Sequence, residues 1–278
     1  MSPAPRQGPV KSHLEQLIGR HSRESAIATD RVRRWVSTMA LLGALERAAP
    51  DHAPPRFLLK GGVAIELRVR TGARATKDVD VVFGGEPGEL LDALDAAFAE
   101  PYCDFTFRRG APAEHGPHAR RFDVRLTYQT RAWATVRLEI SGPEQGADEP
   151  EYIEAISLQD FKLTGPRAIA CLPLRFQIAQ KLHAVSERPA DRTNDRFRDL
   201  VDLLVLRNLI DDLPALRRAC ETTFASRATH AWPPSLDAPT TWQTGYARLA
   251  GEVGLEIVNV DDAAANLREF IAAITSAE

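Results

Sequence analysis

Asp78 and Asp80 are the residues of this chain whose type and spacing bear most directly on chemistry. They are two carboxylates one residue apart in the run Lys77-Asp78-Val79-Asp80-Val81-Val82-Phe83. Val and Phe dominate that run, so 77–83 reads as a strand, and period-two alternation turns both aspartates to one face. Side by side they repel and are costly to bury. A divalent cation removes that cost, and oxygen donors of this kind suit magnesium. Alone, an Asp-x-Asp reads as two solvated strand residues. Lys60-Gly61-Gly62, one short helix upstream, changes the balance. It breaks a short buried segment at 57–59, and glycine both opens backbone angles closed to other residues and lets the backbone come close to a ligand. Residues 63–69 then read as a helix over Ile65, Leu67 and Val69, and N–H groups at a glycine turn opening a helix bind phosphate.

Other charged residues have spacings that carry alternatives. In the alternating stretch 132–140, Val136, Leu138 and Ile140 take one face, and Arg137 and Glu139 the other. Glu139 is a third carboxylate if this strand lies beside Asp78 and Asp80, and a paired surface glutamate if it does not. Lys181 lies in 172–187, where Phe176, Ile178, Ala179, Leu182 and Val185 have helical spacing. Such a lysine either snorkels to the surface or is a fixed cation aimed at a ligand. Asp199 and Asp202, three apart, share a helix face, with Asp195 one turn earlier on roughly the same side. Arg198 and Asp202 read equally as an ordinary i,i+4 ion pair. Seven arginines (108, 109, 120, 121, 125, 131 and 137) stand against Glu114 and Asp123 over residues 108–137. That strip can follow a phosphate backbone, or pair with acids elsewhere.

The pairing of Gly61-Gly62 with Arg74-x-Thr76-x-Asp78-x-Asp80 resembles the AbiEii/AbiGii type of nucleotidyltransferase toxin, including its MenT-like branch, among the polymerase-β-like nucleotidyltransferases. Lys181-Leu-His-Ala184 followed by Arg198-Asp199-Leu-Val-Asp202-Leu203 resembles the same family's second motif, in the expected order. Similarity runs over about 56–206. The resemblance implies an α+β fold: an N-terminal nucleotidyltransferase lobe, a mixed sheet with flanking helices, then a mainly helical C-terminal lobe. It implies transfer of NMP from an NTP with Mg2+, two ions, held by Asp78, Asp80 and Glu139, with pyrophosphate leaving. Lys60, Gly61, Gly62, Arg74, Thr76 and Lys181 are the expected nucleotide-binding residues. Lys181 would balance phosphate charge, and Asp199 or Asp202, between which the sequence does not choose, would orient it or contact the nucleotide. The MenT-like branch implies the 3′ end of tRNA as acceptor, a growth-inhibiting toxin and a cognate antitoxin, with Arg120, Arg121 and Arg125 as the expected RNA contacts. Val63 departs from the family pattern, in which Ser or Thr often follows or replaces the second glycine, so phosphate grip would rest on backbone N–H groups and cations. Rival readings are transfer to a small molecule or a protein hydroxyl, and a non-catalytic binding module of the same fold.

The elements that must position these residues follow from pattern and composition. The chain has 278 residues, 44% apolar and 26% charged, with a net charge of −3, as an ordinary soluble globular protein has. Its length suits one large domain or two modest ones. No stretch approaches a bilayer span, and the N-terminus lacks an apolar signal core, so a cytoplasmic location and no membrane partner are expected. Cys103, Cys171 and Cys220 lack metal-ligand spacing and read as reduced thiols. Residues 1–10 are Pro-rich and read as disordered. Helices are expected at 11–20 and 30–49, with Val32, Trp35, Val36, Met39 and Leu42 in one stripe. A proline break follows at 50–55, then the central element, and a helix opened by Pro87. A strand is expected at 102–107, a loop at 110–118 holding His115 and His118 as surface residues, and a hairpin of 121–128 and 132–140. The acidic loop 142–151 divides the chain into 11–145 and 146–278, and the character from there is mostly helical, including 213–225 and 261–274. His230, Trp232 and Trp242, around a Pro-rich connector, read as packing residues, with stacking on a nucleobase as the alternative.

Overall fold

The computed structural model describes residues 8–47, 54–114, 119–189 and 193–278. The expected disorder of 1–10 falls, for 1–7, outside the described residues, as do His115, His118 and most of the proline break. Residues 8–10 are placed: the Gly8 amide donates to Asp104 at 2.9 Å, and the Tyr128 hydroxyl donates to the Pro9 carbonyl at 2.7 Å. The chain forms two compact units, Met1–Leu67 with Ala75–Cys171, and Arg68–Arg74 with Leu172–Glu278.

The first unit opens with α1 (Lys11–Ser25) and α2 (Thr29–Glu46), then β1 (Phe57–Lys60), the start of α3 (Gly61–Val69) and β2 (Asp78–Phe83). After α4 (Leu90–Phe98) come β3 (Phe105–Arg109), β4 (Ala113–Glu114), β5 (Ala119–Tyr128), β6 (Arg131–Ser141), β7 (Glu151–Glu154) and β8 (Ala168–Cys171). The strand order is β3-β5-β6-β2-β1-β8-β7, with β4 on the side of β5. β2 runs parallel to β6, and β1 to β8, while the other pairs are antiparallel, so the sheet is mixed, as expected. Residues 151–171, where the sequence reads as mostly helical, instead supply two sheet strands. Four-residue strands such as Glu-Tyr-Ile-Glu and Ala-Ile-Ala-Cys are too short to show a period.

Alternation decides which residues the sheet buries. Val79, Val81, Phe122, Val124, Leu138 and Ile140 join Val36, Met39 and Leu42 of α2 and Leu94 of α4 in one core. Among the described residues the other face holds a small apolar cluster, Leu58, Val82 and Ala170, and its remaining positions are largely charged. The β5–β6 hairpin turns through Gln129 and Thr130, both with positive φ, as a two-residue hairpin turn requires. Neither residue is Gly or Asn. The side-chain amide of Gln129 helps hold the turn by donating to Asp104 at 2.9 Å and to the Pro9 carbonyl at 3.0 Å.

The second unit is helical: α5 (Leu174–Ser186), α6 (Phe197–Leu206), α7 (Leu213–Arg227), α8 (Gln243–Val253) and α9 (Val260–Ser276). Asp212 caps α7 by accepting from the Ala215 amide, and Asn259 caps α9 by accepting from the Asp261 and Asp262 amides. α6 packs against α5, α8 and α9, burying Leu200, Leu203 and Leu204. Trp242 is buried and donates to the Asn194 carbonyl at 2.7 Å; Trp232 packs edge-on against Phe224. Both tryptophans are packing residues. Cys103, Cys171 and Cys220 are free thiols. Among the described residues no helix is long and apolar enough to cross a membrane.

His183 of α5 is buried against Phe224 and His230, its Nε2 2.9 Å from the Thr229 hydroxyl. Burial, with Arg227 and His230 nearby, pushes its imidazole down to about 4. The fold keeps it neutral, whereas the unfolded chain takes up a proton below about pH 6.5. Stability from this residue is therefore present above that pH and is lost as pH falls toward 4. The urea midpoint at pH 5 is expected below that at pH 7.5, and the gap should narrow in His183→Gln; an equal gap in both proteins would show that His183 is not its source.

Candidate active site

The first unit assembles the expected site residues through strand register. Lys60 pairs across β1–β2 with Asp80, Asp80 across β2–β6 with Glu139, and Glu139 across β6–β5 with Arg121. These four form one cross-strand row on the charged face. The neighbouring row is Asp78, Arg137 and Asp123. Glu139 therefore does lie beside the aspartate strand.

Gly61 sets the approach to this row. Its φ is +66°, and a Cβ built there would lie 2.0 Å from Asp80 Oδ2. Conformation and space both demand glycine, because the Asp80 carboxylate occupies the volume of any side chain at 61. At Gly62 a Cβ would lie 2.9 Å from Thr76 Cβ and Oγ1. Val63 itself is buried in the core, so the hydroxyl beside the glycine turn comes from Thr76.

The acids already have basic partners. Arg121 donates from Nε and Nη2 to Glu139 Oε1 at 2.9 and 2.7 Å, and Arg137 donates to Asp78 at 3.2 Å. Lys60 donates to Ser141 Oγ at 2.9 Å and to Glu144. Among the described residues no group of three or more metal-ligating side chains is gathered. Asp80 and Glu139 are neighbours with hard oxygen donors, which fit a divalent cation of the magnesium type. Asp78, two-fifths exposed, lies on the same face beside them. The partnerships of Arg121, Arg137 and Glu144 escape a reading of the sequence because register cannot be read from one strand at a time.

The arginine strip divides by parity. Arg121 and Arg125 share the charged face with Arg108, which pairs directly with Arg125. Arg120 points to the opposite face, so it does not share a surface with the other two expected RNA contacts. Arg109 is held by Asp95 through two bonds of 2.7 Å, and its hydrogen bond keeps that carboxyl below the usual range. A cleft of about 440 Å³ is lined by Arg108, Arg109, Arg121, Asp123 and Arg125.

In the second unit, Lys181 Nζ donates to Asp199 Oδ1 at 2.7 Å and to Asp202 Oδ2 at 2.8 Å. Arg74 binds both oxygens of Asp202 at 3.0 Å, and Arg196 reaches Asp199 at 3.4 Å. Lys181 is thus a fixed cation, and Asp202 pairs with Lys181 and Arg74 rather than with Arg198, which packs over Phe197. Asp195 is exposed and precedes α6. Burial opposes charge on Lys181, but the fields of Asp199 and Asp202 outweigh it and hold the ammonium above its usual range. Burial likewise opposes ionisation of Asp199, yet Lys181 beside it keeps that carboxyl low. Of three ammonium donors, one has no partner among the described residues.

The first unit is thus a mixed sheet with a glycine turn against an Asp-x-Asp strand and a glutamate brought beside it by register. The sequence matches the family described as "Nucleotidyl transferase AbiEii toxin, Type IV TA system" over residues 43–266. The chain belongs to that AbiEii family of type IV toxin–antitoxin nucleotidyltransferases, which implies a cognate antitoxin. Among solved structures it is similar to MenT4, a nucleotidyltransferase toxin of Mycobacterium tuberculosis H37Rv, with a TM-score of 0.58 and 16% identity over 94% of this chain and 97% of that one. It is also similar to JHP933 from Helicobacter pylori, with a TM-score of 0.47 and 17% identity over 87% and 91% of the two chains. At this identity the likeness to MenT4 is one of fold. No curated protein sequence matches the chain.

Removing Lys181 leaves two buried carboxylates facing each other. Lys181→Met is expected to cost about 3–5 kcal/mol, the scale of breaking a buried ion pair from one side. Adding Asp199→Asn should recover part of that loss in urea unfolding; strictly additive losses would mean the two groups are not coupled.

Proposed function

We propose that this nucleotidyltransferase transfers the nucleoside monophosphate of an NTP to the 3′ acceptor end of tRNA, with Mg2+, blocking aminoacylation and so translation. The observation that carries the reading is the register row in which Asp80 and Glu139 stand side by side over the Gly61 turn. Asp80 and Glu139, with Asp78 turned from Arg137, would hold the metal. When bound, the metal neutralises phosphate charge as the α-phosphorus is attacked. Backbone N–H groups of the Gly61–Gly62 turn cradle phosphate, with the Thr76 hydroxyl beside them. Glu139 orients the attacking acceptor hydroxyl and takes up its proton. The new bond joins that oxygen to the α-phosphorus, and the bond to the β-phosphate oxygen breaks, releasing pyrophosphate. Lys181 is assigned to charge balance on the nucleotide, with Asp199 and Asp202 as its positioning residues and Arg74 fixing Asp202. Lys60 is held by Glu144 and Ser141, so its part is to fix the end of β1.

An RNA acceptor is supported by the arginines of the charged face. Arg108 and Arg125 form no ion pair among the described residues, and a polyanion satisfies both. Arg121 is bound to Glu139, and Arg120 lies on the other face, which leaves Arg125 and Arg108 as the stronger pair of contacts.

The test incubates the purified chain with Mg2+, each α-labelled NTP and total RNA. Label at a tRNA-sized band is expected, reduced at least about 100-fold in Asp80→Ala, the scale of losing one charge contact to the transition state. Label that persists in Asp80→Ala removes the carboxylate site; label on the protein alone points to self-modification. Arg125→Glu is expected to lower RNA labelling about tenfold and to make its loss with salt shallower, whereas Arg120→Glu changes it much less. A small-molecule acceptor would be indifferent to both.

A further inference from the structure

A cavity of about 200 Å³ lies at the N-terminal end of β2, bounded by α2, α3 and β6 within the first unit. Met39, Val63, Val79 and Val136 give it apolar walls. The buried side-chain atom left unmet there is a donor. Trp35 lines the cavity and is only 8% exposed, yet its indole Nε1 has no hydrogen-bond partner among the described residues. Arg34, also in the lining, forms no ion pair among the described residues. The acids at the rim are already engaged: Glu66 accepts from Arg31 at 2.6 Å, and Asp78 accepts from Arg137 at 3.2 Å.

A buried donor without an acceptor costs about 1–3 kcal/mol. Apolar walls with a buried, unpartnered indole N–H call for a flat, largely apolar group that carries an acceptor on its edge. An inorganic anion has no body for the walls, and an aliphatic chain has no acceptor for the indole. At about 200 Å³ the cavity is smaller than the roughly 300–1,000 Å³ that houses a whole drug-sized ligand, so it takes one ring of a larger molecule. Thr76 and Val63 connect it to the phosphate turn: both line the cavity, Thr76 packs on Gly62, and Val63 follows Gly62 in the chain.

We infer that this cavity is the nucleobase pocket, with a carbonyl oxygen or ring nitrogen of the base accepting from Trp35 Nε1. The identity of the larger molecule rests on the nucleotidyltransferase reading; the unmet indole N–H does not.

The indole N–H resonances of the 15N-labelled full chain test this, with the Trp35 signal assigned among four tryptophans through Trp35→Phe. The probes are cytidine, uridine, adenosine and guanosine, without phosphate or metal, and then the matching NTPs. At least one nucleoside is expected to shift the Trp35 signal saturably, and its NTP to do so at lower concentration. Trp35→Phe should weaken nucleoside binding about threefold to tenfold, the worth of one hydrogen bond, read on the backbone amides of α2. Should that variant not fold, Val136→Phe fills the cavity from β6 and should abolish the shift. An NTP that binds by its own phosphorus signals while Trp35 stays unmoved overturns the inference, as does an equal response to benzoate. Because the nucleosides carry no phosphate, a failed transfer assay leaves this result standing, and the reverse also holds.

Discussion

The close approach of Asp80 to Gly61 is the constraint around which the first unit's charged face is built. β1 and β2 are antiparallel with Lys60 opposite Asp80, so the chain must leave β1 directly beneath that carboxylate. It can do so only with a left-handed backbone and no side chain, since a Cβ would sit 2.0 Å from the carboxylate oxygen. The requirement fixes where α3 begins. It also brings a negative charge to the start of a helix, where the dipole favours it. A single substitution at 61 therefore disturbs conformation, carboxylate position and helix start together.

Charge is handled differently in the two units, and exposure explains the difference. Around Arg121–Glu139 and Arg137–Asp78 the side chains are between a fifth and a half exposed. Such pairs contribute little each, so a metal or phosphate can displace them at small cost. Lys181, Asp199 and Asp202 are nearly buried, and separating them would strand a charge in a poor solvent. The ammonium is therefore held in one place by two carboxylates. Arg74 extends the same cluster, and only three residues separate it from Asp78 in the chain.

What is legible in the sequence is what depends on local period. The Asp78–Asp80 strand, the glycine turn, the stripe on α2 and the β5–β6 hairpin all follow from side-chain alternation or helical spacing within one segment. What stays open there is pairing between segments. Glu139 has two readings until the β2–β6 register places it beside Asp80. Asp202 has two until the apolar stripe of α6 turns it inward towards Lys181 and leaves Arg198 outside. Arg120 groups with Arg121 and Arg125 by closeness in sequence, although alternation puts adjacent residues on opposite faces. β7 and β8 escape detection because four residues are too few to distinguish a strand from a buried loop, and their pairing energy comes from the rest of the sheet.

The charged face also has a direction. Its core-side counterpart is buried by α1, α2 and α4, so the face opposite is where charges can remain, and register sorts them into rows. Lys60, Asp80, Glu139 and Arg121 place the two acids between two cations, and Asp78, Arg137 and Asp123 alternate in sign. Both rows can largely neutralise themselves. The next row cannot: Arg108 faces Arg125 directly, and like charges opposed across two strands are destabilising. A sheet tolerates such a pair most readily where an outside anion relieves it. Asp123 and Arg125 are successive residues of β5 on this face, so the change from balanced to cationic is abrupt. The face is therefore close to balanced around the carboxylates and cationic at Arg108 and Arg125 beyond them.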